Sequence, residues 1–505
     1  MACGCSKNKD KDNGKNMKKK KKKNNKNKPE KHELLYIMNP NCGWCKKADP
    51  VVEELIKDGY DIISLDMNIP EQAERANAAK AKHKAQCGTP LFLDAETGNI
   101  ACGFREKDVL EKWAKGEEMP APAPRPNPND ADQQKEDPKF ASVKFEYIWL
   151  DGSQIKNIRS KVRYQRLSMT MLSRIGWHQI VKMIPPWSFD GSSTGQADVE
   201  NSDCILNPVR IIPNPMETDS FETGESTSYI VLCEVGTQDN NPHESNTRYS
   251  LVKSVGDSKT KDLIVGFEQE YVMTDPITGK PLGWEKYKDE TPQLSENYYC
   301  GVGSETVIGR KLADSHANMC NKVGVSVAGT NAEVMLSQWE YQTTPKPVLM
   351  AADDVIFSRF ILQRLAEDMN ISISYNPKLM GNEWSGSGGH INFSTDYMRR
   401  ESDIAYLNLM CGSMEKYHEE SLLYYGQEND KRLTGDKETS SIDEFTWGES
   451  DRTASIRIPS STIQNGGKGY LEDRRPAANI DPYEAFEYLL KTVNEINVEL
   501  EVVPV

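Results

Sequence analysis

The chain has 505 residues, 37% of them apolar, which is length enough for about three domains with real cores. Its 76 acidic residues outnumber 62 Lys and Arg, and the resulting net charge of −14 argues for solubility and against general nucleic-acid binding. No apolar run reaches about 18 residues, which excludes a membrane-spanning helix, and the polar, Lys-rich start lacks the apolar segment of a secretory signal.

Residues 1–31 are mostly Lys and Asn, with an unbroken lysine run from Lys18 to Lys23. Such a stretch buries no apolar area, so a disordered, solvated basic tail is expected. The alternative is a weak contact with an anionic membrane or nucleic acid, with lipid on Cys3 or Cys5; Ala2 excludes myristoylation, which needs Gly there. The eleven Cys, an odd number scattered along the chain, read as reduced thiols of a cytoplasmic protein rather than a disulfide framework.

Leu34–Met38 reads as a buried strand leading into Cys42-Gly43-Trp44-Cys45 and an amphipathic helix to about Asp58. A CxxC at a helix start has a physical purpose. The helix dipole and free N–H groups favour thiolate at Cys42, and Cys45 lies close enough to resolve a mixed disulfide. Half of a zinc site is the competing reading, but no second ligand pair follows at metal spacing. Next come a strand at Tyr60–Leu65, an Ala-rich helix around 70–84 and Gly88-Thr89-Pro90 before a third strand.

Residues 32–116 resemble the thioredoxin fold on these features. The resemblance implies a redox pair at Cys42 and Cys45, a helix-kinking Pro50 and a cis Pro90 facing the pair. It also implies a final hairpin ending at Ala101-Cys102-Gly103 and a last helix over Lys107–Lys115. The chain departs from thioredoxins in lacking Trp before Cys42 and an acid in the preceding strand, which leaves open whether the pair reduces, oxidises or only docks. Alternating Pro through 117–139 marks a semi-rigid linker and a domain boundary.

Beyond it, Phe145–Leu150 alternates like a strand, and Asp190-Gly191-Ser192-Ser193-Thr194 forms a polar loop suited to a ligand. Leu263-Ile264-Val265 leads a buried strand into Gly266-Phe267-Glu268-Gln269-Glu270-Tyr271. Alternation puts Glu268 and Glu270 on one face, roughly 7 Å apart. Carboxylates that close repel unless a cation or proton intervenes, although an isolated E-x-E is more often a solvated strand edge. Further along come Glu333, Glu340, an amphipathic helix over Asp353–Asp368, and His390 after four glycines within nine residues. Arg432 precedes Glu438 in a segment that could be a flap; Arg452, Arg457 and Glu472-Asp473-Arg474 follow. Carboxylates with one His favour hard divalent cations, Mg2+ or Mn2+. Arginines supply fixed donors for phosphate and carboxylate. Without a Walker P-loop, the combination points to phosphoryl transfer from a metal-bound nucleotide: an ATP-dependent ligase or kinase.

From about Phe145 onward the chain resembles type II, eukaryote-like glutamine synthetases. The matching motifs include Trp187–Thr194, Asn201-Ser202-Asp203, Gly266–Tyr271, Tyr298–Gly303, Gly329–Met335, Arg432–Gly435, Ala454–Pro459 and Glu472–Pro476. The architecture implied is multidomain: a thioredoxin-like α/β domain, a β-grasp domain (140–238), and an α/β catalytic domain (239–505) on a curved antiparallel sheet. The resemblance assigns Glu270, Glu333 and Glu340 to one metal, and Glu268, His390 and Glu472 to another. Arg432 is implied for the glutamate α-carboxylate, with Arg474, Gly386 and Ser193 also near substrate. Arg452 is implied in catalysis beside the moving phosphoryl group, and Arg457, Ser394, Tyr470 and Asn392 lie near ATP. Glu438 closes over the γ-glutamyl phosphate, and Asp190, reaching a neighbouring subunit, takes the proton from ammonium. Activity then needs a homo-oligomer, usually two stacked five-membered rings. Ser385, where the family typically has Asn, and Ile264, where an aromatic often lies near adenine, depart from the pattern. The alternatives are a glutamate–amine ligase, a catalytically dead relative, or a thiol-disulfide oxidoreductase on a synthetase scaffold. A redox link from the CxxC to Cys300, Cys320 or Cys411 is a further expectation.

Overall fold

The computed structural model describes residues 33–117, 119, 140–168, 172, 175, 177–217, 227–287, 292 and 297–500, residue 86 excepted. The tail at 1–31, with Cys3 and Cys5, and all but two residues of the linker at 117–139 lie outside the described residues. The chain divides into two units, 1–135 and 136–505.

In the first unit, β1 (Leu34–Met38), β2 (Ile62–Asp66), β3 (Leu91–Asp94) and β4 (Ile100–Cys102) form a sheet ordered β2-β1-β3-β4. β1 runs parallel to β2 and antiparallel to β3, and β3 pairs antiparallel with β4. An all-apolar β1 follows from cover on both faces. Leu34 and Tyr36 pack with Val52 and Leu55 of α1 (Gly43–Lys57) and Trp113 of α3 (Lys107–Ala114). Leu35 and Ile37 pack with Ala76 of α2 (Pro70–Lys82). Pro50 lies inside α1, and the Thr89–Pro90 peptide is cis. One expectation fails: Cys87 and Cys102 are disulfide-bonded, with Cα atoms 5.8 Å apart, rather than reduced. The cause is tertiary, because the β3–β4 pairing sets Cys102 opposite Leu91, beside the loop carrying Cys87.

The described residues of the second unit form two sheets. β5 (Phe140–Leu150), β6 (Ile158–Ser168), β7 (Trp187–Asp190), β8 (Asp203–Pro213) and β9 (Ser228–Gly236) are ordered β6-β5-β9-β8-β7. The larger sheet is built on β10 (Ile264–Thr274). Its order is β11-β12-β10-β15-β18-β17-β16, with β13 (Lys346–Pro347) and β14 (Ser372–Ser374) also pairing with β10. Its other strands are β11 (Val327–Ala332), β12 (Gln338–Thr343), β15 (Gly389–Ser394), β16 (Trp447–Glu449), β17 (Ile456–Ile458) and β18 (Leu471–Asp473). Pairing is antiparallel except between β16 and β17.

One face of this sheet is apolar. Phe267, Tyr271, Trp339, Tyr341, Ile391, Phe393 and Leu471 share a core with the helices Val348–Asp368 and Pro482–Glu499. Ile148, Ile212, Ile230 and Leu232 of the smaller sheet join that core.

The amphipathic reading of Asp353–Asp368 is corrected: the helix spans Val348–Asp368 and is buried nearly all round. Its inward acids are balanced by distant cations. Arg248 Nε donates to Asp353 Oδ1 at 2.8 Å, and Arg210 Nη2 to Asp354 Oδ1 at 2.6 Å. Removing a partner from a buried charge costs about 3–5 kcal/mol. Arg248→Ala should therefore lower the unfolding free energy of the larger unit by that order, read as a lower denaturant midpoint. An unchanged midpoint would show that Arg248 does not stabilise Asp353.

Candidate active site

With Phe267 and Tyr271 turned into the core, alternation leaves Glu268 and Glu270 on the opposite face of β10. Register selects their neighbours. Glu268 lies opposite His390 of β15 and Gln342 of β12, and Glu270 opposite Glu340 of β12. Glu472 of β18 pairs with Asn392 on one side and Arg457 on the other. Two sets of ligand atoms lie within 4.8 Å of one another: Glu268, His390 and Glu472, and Glu270, Glu340 and His390. Glu333 lines the same cavity, of about 600 Å³, without joining either set. Its carboxylate accepts from Asn331 Nδ2 at 2.8 Å and from the Val334 N–H at 3.2 Å.

Burial raises Glu270 to about 7 and Glu333 to about 8, and the Glu270 charge adds to the shift at Glu333. Burial, then Glu268, Glu270 and Glu333, push Glu340 well above the carboxylate range. Burial, reinforced by Arg474, holds the His390 ring well below its ordinary value, so it is neutral. Its Nδ1 lies 3.3 Å from Glu268 Oε2 and 3.6 Å from Glu472 Oε1, and its Nε2 is 3.8 Å from Glu270 Oε1. A neutral imidazole among carboxylates that charge poorly on their own is a donor set suited to a hard divalent ion.

Guanidiniums close the other side. Arg457 Nη1 and Arg474 Nη1 donate to Glu472 at 2.5 and 2.7 Å. Arg452 and Glu438 also line the cavity. Arg432 is buried, donating to the carbonyls of Arg474 at 2.8 Å and Arg475 at 3.1 Å. Burial lowers it to about 10, against the opposing pull of Glu270. Gly388 makes this packing possible: an added Cβ would stand 2.5 Å from His390 Nε2 and 2.8 Å from Arg432 Nη2. Its N–H also donates to Glu270 Oε2 at 2.9 Å. Lys437 and Glu438, on the predicted flap, both adopt positive φ, 53° and 61°, a strained backbone for non-glycine residues.

Gly386 and Ser385 line an adjoining cavity with Arg432 and Lys437. Asn392 Nδ2 donates to Glu268 Oε1 at 2.8 Å. Ser394 is buried, its hydroxyl bonded to the Gly469 carbonyl at 2.8 Å, and Ile264 pairs with it across β10 and β15. Tyr470 is partly exposed nearby, its hydroxyl raised by burial and by Glu268. Asp190 and Ser193 stand apart from the cavity of their own chain, on an exposed turn. There the Ser192 and Ser193 hydroxyls donate to Asp190 at 2.6 and 2.5 Å and hold its carboxyl below the usual range. Sequence reading missed Gln338, whose Nε2 donates to Glu270 Oε2 at 3.1 Å, and the cavity residues Tyr299, Asn331 and Gln342. Gln338 and Gln342 were legible, since each lies two residues from Glu340 on the same strand face.

Hard-cation ligands facing a bank of guanidiniums define a metal-dependent enzyme that handles phosphorylated, anionic substrates. Comparison with known proteins narrows the class. Residues 244–495 match the family model for the glutamine synthetase catalytic domain. The chain is 42% identical over 350 residues to a chloroplastic glutamine synthetase of Chlamydomonas reinhardtii, covering 69% of this chain and 90% of that protein. It is 38% identical over 365 residues to a glutamine synthetase of Bradyrhizobium diazoefficiens, covering 71% and 98%. The fold resembles a Plasmodium falciparum glutamine synthetase solved by electron cryomicroscopy, with TM-score 0.54, 14% identity, and 71% of this chain and 73% of that chain covered. The chain belongs to the glutamine synthetase family, and its activity is ATP-dependent synthesis of glutamine.

Because the raised carboxyls stay protonated up to about 7 and about 8, a cation must displace protons to bind as pH falls. Mg2+ affinity measured by calorimetry should weaken as pH drops from about 8 to about 6, with protons released on binding. A flat profile without proton release would show that the cation does not bind at the Glu270 and Glu333 carboxyls.

Proposed function

We propose that this cavity joins ammonia to L-glutamate through γ-glutamyl phosphate, with ATP as phosphoryl donor. The observation supporting it is the single sheet face on which Glu268, Glu270, Glu340, His390 and Glu472 meet Arg457 and Arg474. Glu268, His390 and Glu472 would hold one divalent ion, Mg2+ or Mn2+, and Glu270, Glu333 and Glu340 another. Such ions supply positive charge to nucleotide phosphates and to the transferring group. A glutamate γ-carboxylate is a poor electrophile, so phosphorylation supplies the leaving group. Arg432 grips the α-carboxylate, with Gly386 beside it, while Arg452, Arg457 and Arg474 balance the phosphoryl charge. Asn392, Ser394 and Tyr470 form the nucleotide side. Glu438, carried on its strained turn, shields the acyl phosphate from water.

Asp190, whose carboxyl the Ser192 and Ser193 hydroxyls hold below the usual range, is the proton acceptor for ammonium in this reading. Its place outside its own cavity supports a site completed by a second copy, with Ser193 on the same turn, and a homo-oligomer, decameric in our reading. The five-stranded sheet is then a β-grasp domain at 140–238, followed by the catalytic domain at 239–505. Subunit mixing tests this. Asp190→Ala and Glu340→Ala chains should each lose ATP-, ammonium- and glutamate-dependent phosphate release, and co-assembled chains should regain part of it. No recovery in mixed particles would place Asp190 in its own chain's site; a preference for organic amines over ammonium would favour the amine ligase.

A second reading concerns residues 32–116, as a thioredoxin-like redox domain in a cytoplasmic enzyme. Its support is the CxxC opening α1 and the Cys42 thiol donating to the Thr89 carbonyl, 3.5 Å away, just before the cis Pro90. Bonds from Cys45 lower the Cys42 thiol, and burial raises that of Cys45, the polarity of an attacking and a resolving cysteine. Cys320 and Cys411 are buried, and burial pushes the Cys411 thiol to about 12, so they are removed as targets. Cys300 is exposed and follows Tyr299, a cavity residue. Glutamine output across a thiol redox titration should therefore differ between wild type and the Cys42→Ser/Cys45→Ser double variant. Superimposable curves would end the coupling.

A further inference from the structure

This inference rests on the reading of Glu438 as the shield over the acyl phosphate, and it concerns what holds that shield in place. Glu438 reaches the cavity from an exposed, strained turn. At the tip, Arg474 Nη2 donates to the Glu438 carbonyl at 3.4 Å, a long contact. The base of the loop is tighter: the Ile442 N–H donates to the Leu433 carbonyl at 3.0 Å, and Thr434 bridges Ser441. The position of Glu438 is therefore set largely from that base.

His418, which opens the short helix His418–Leu422 and is 7% exposed, meets the loop there. Its Nε2 lies 2.9 Å from the Ile442 carbonyl oxygen, and its Nδ1 lies 3.2 Å from Arg475 Nη1. A guanidinium only donates, so Nδ1 accepts and the ring proton sits on Nε2, facing Ile442. Burial holds the ring below its ordinary value against the opposing pull of that carbonyl, so it is neutral. Arg475 is itself fixed: Nε and Nη2 donate to the two Asp473 oxygens at 2.9 and 2.6 Å, and Nη1 also donates to Ser421 Oγ at 2.8 Å. Phe445, three residues past Ile442, packs edge-on against the His418 ring, centroids 5.5 Å apart. Alternation along 472–475 thus gives one segment two tasks. Glu472 and Arg474 turn to the site, while Asp473 and Arg475 turn inward and hold His418.

We propose that His418 is a positioning residue for the shield: its Nε2–H ties the base of the 433–442 loop to the Glu472–Arg475 segment and so keeps Glu438 over the acyl phosphate. His418 acts through the loop and touches no substrate. Without its bond the loop opens more often while the intermediate is present. Water then takes the place of ammonia. Its oxygen bonds to the γ-carbonyl carbon, the bond from that carbon to the phosphate oxygen breaks, and phosphate leaves with the electron pair. The water protons pass to solvent, glutamate is regenerated, and one ATP is consumed without glutamine. The net contribution of one hydrogen bond corresponds to about 2- to 10-fold in the ratio of open to closed loop.

The test measures phosphate and glutamine in one reaction with the full-length chain, across ammonium concentrations. Two variants separate the two bonds of the ring. His418→Asn keeps an acceptor near the Nδ1 position for Arg475 but is too short to reach Ile442. His418→Gln puts a donor near the Nε2 position for Ile442 but leaves Arg475 short of an acceptor. His418→Asn should raise the share of phosphate released without glutamine by about 2- to 10-fold, most at low ammonium, with little change in the ATP KM. His418→Gln should stay near the wild-type share. A second readout needs no turnover: trypsin cuts after Lys437, exposed on this loop, and His418→Asn should be cut there faster by the same factor, with other sites unchanged. Wild-type values of both readouts in His418→Asn, or the larger change in His418→Gln, would overturn the assignment. Glu438→Ala should raise the hydrolysed share by itself. Were its share that of wild type, the shielding reading would fall, and this assignment with it.

Discussion

Repulsion among carboxylates crowded on one sheet face is the constraint around which the larger unit is arranged. Glu268, Glu270, Glu340 and Glu472 cannot turn away, because the alternate residues of their strands are locked into the core by Phe267, Tyr271, Trp339, Tyr341 and Leu471. The charge must be relieved where it stands. Part of the relief comes from Arg457 and Arg474 on Glu472, and from the Gly388 N–H and Gln338 on Glu270. The rest appears as carboxyls driven toward the neutral form and an imidazole kept uncharged. A dication would remove the strain that burial creates, so the rigid apolar face and the crowded acidic face are two sides of one packing solution.

Buried charge is handled differently away from the cavity. Asp353 and Asp354 are as buried as the site carboxylates but are matched by Arg248, Arg210 and Lys346 from other segments, and burial leaves no demand for an ion. The contrast separates a structural acid from a functional one: the first has its cation within the chain, and the second shares too few cations with too many acids. Asp190 belongs to a third class, exposed, held by two serine hydroxyls and not among the residues that line the cavity.

In the N-terminal unit the problem is protonation of sulfur. A helix start lowers one thiol and the core raises the other, while the Tyr36 hydroxyl beside them donates to Asp49 and to the Cys45 carbonyl. Both units thus place ionisable groups where burial opposes their charged form and supply the compensation from a neighbouring element.

Alternation and motif were readable from the chain itself. The strand through Glu268 and Glu270, the CxxC opening a helix, the cis proline, and the run of polar motifs from Trp187 to Pro476 depend on residues near in sequence, whose spacing is set by backbone geometry. Partner choice was not readable. That His390 stands between both carboxylate sets, that Cys87 bonds Cys102, that Arg248 reaches Asp353 and that the Tyr36 hydroxyl donates to Asp49 are all consequences of register and packing. Periodicity tells which face a side chain takes; only the folded chain, bringing segments tens to hundreds of residues apart into contact, decides what that face meets.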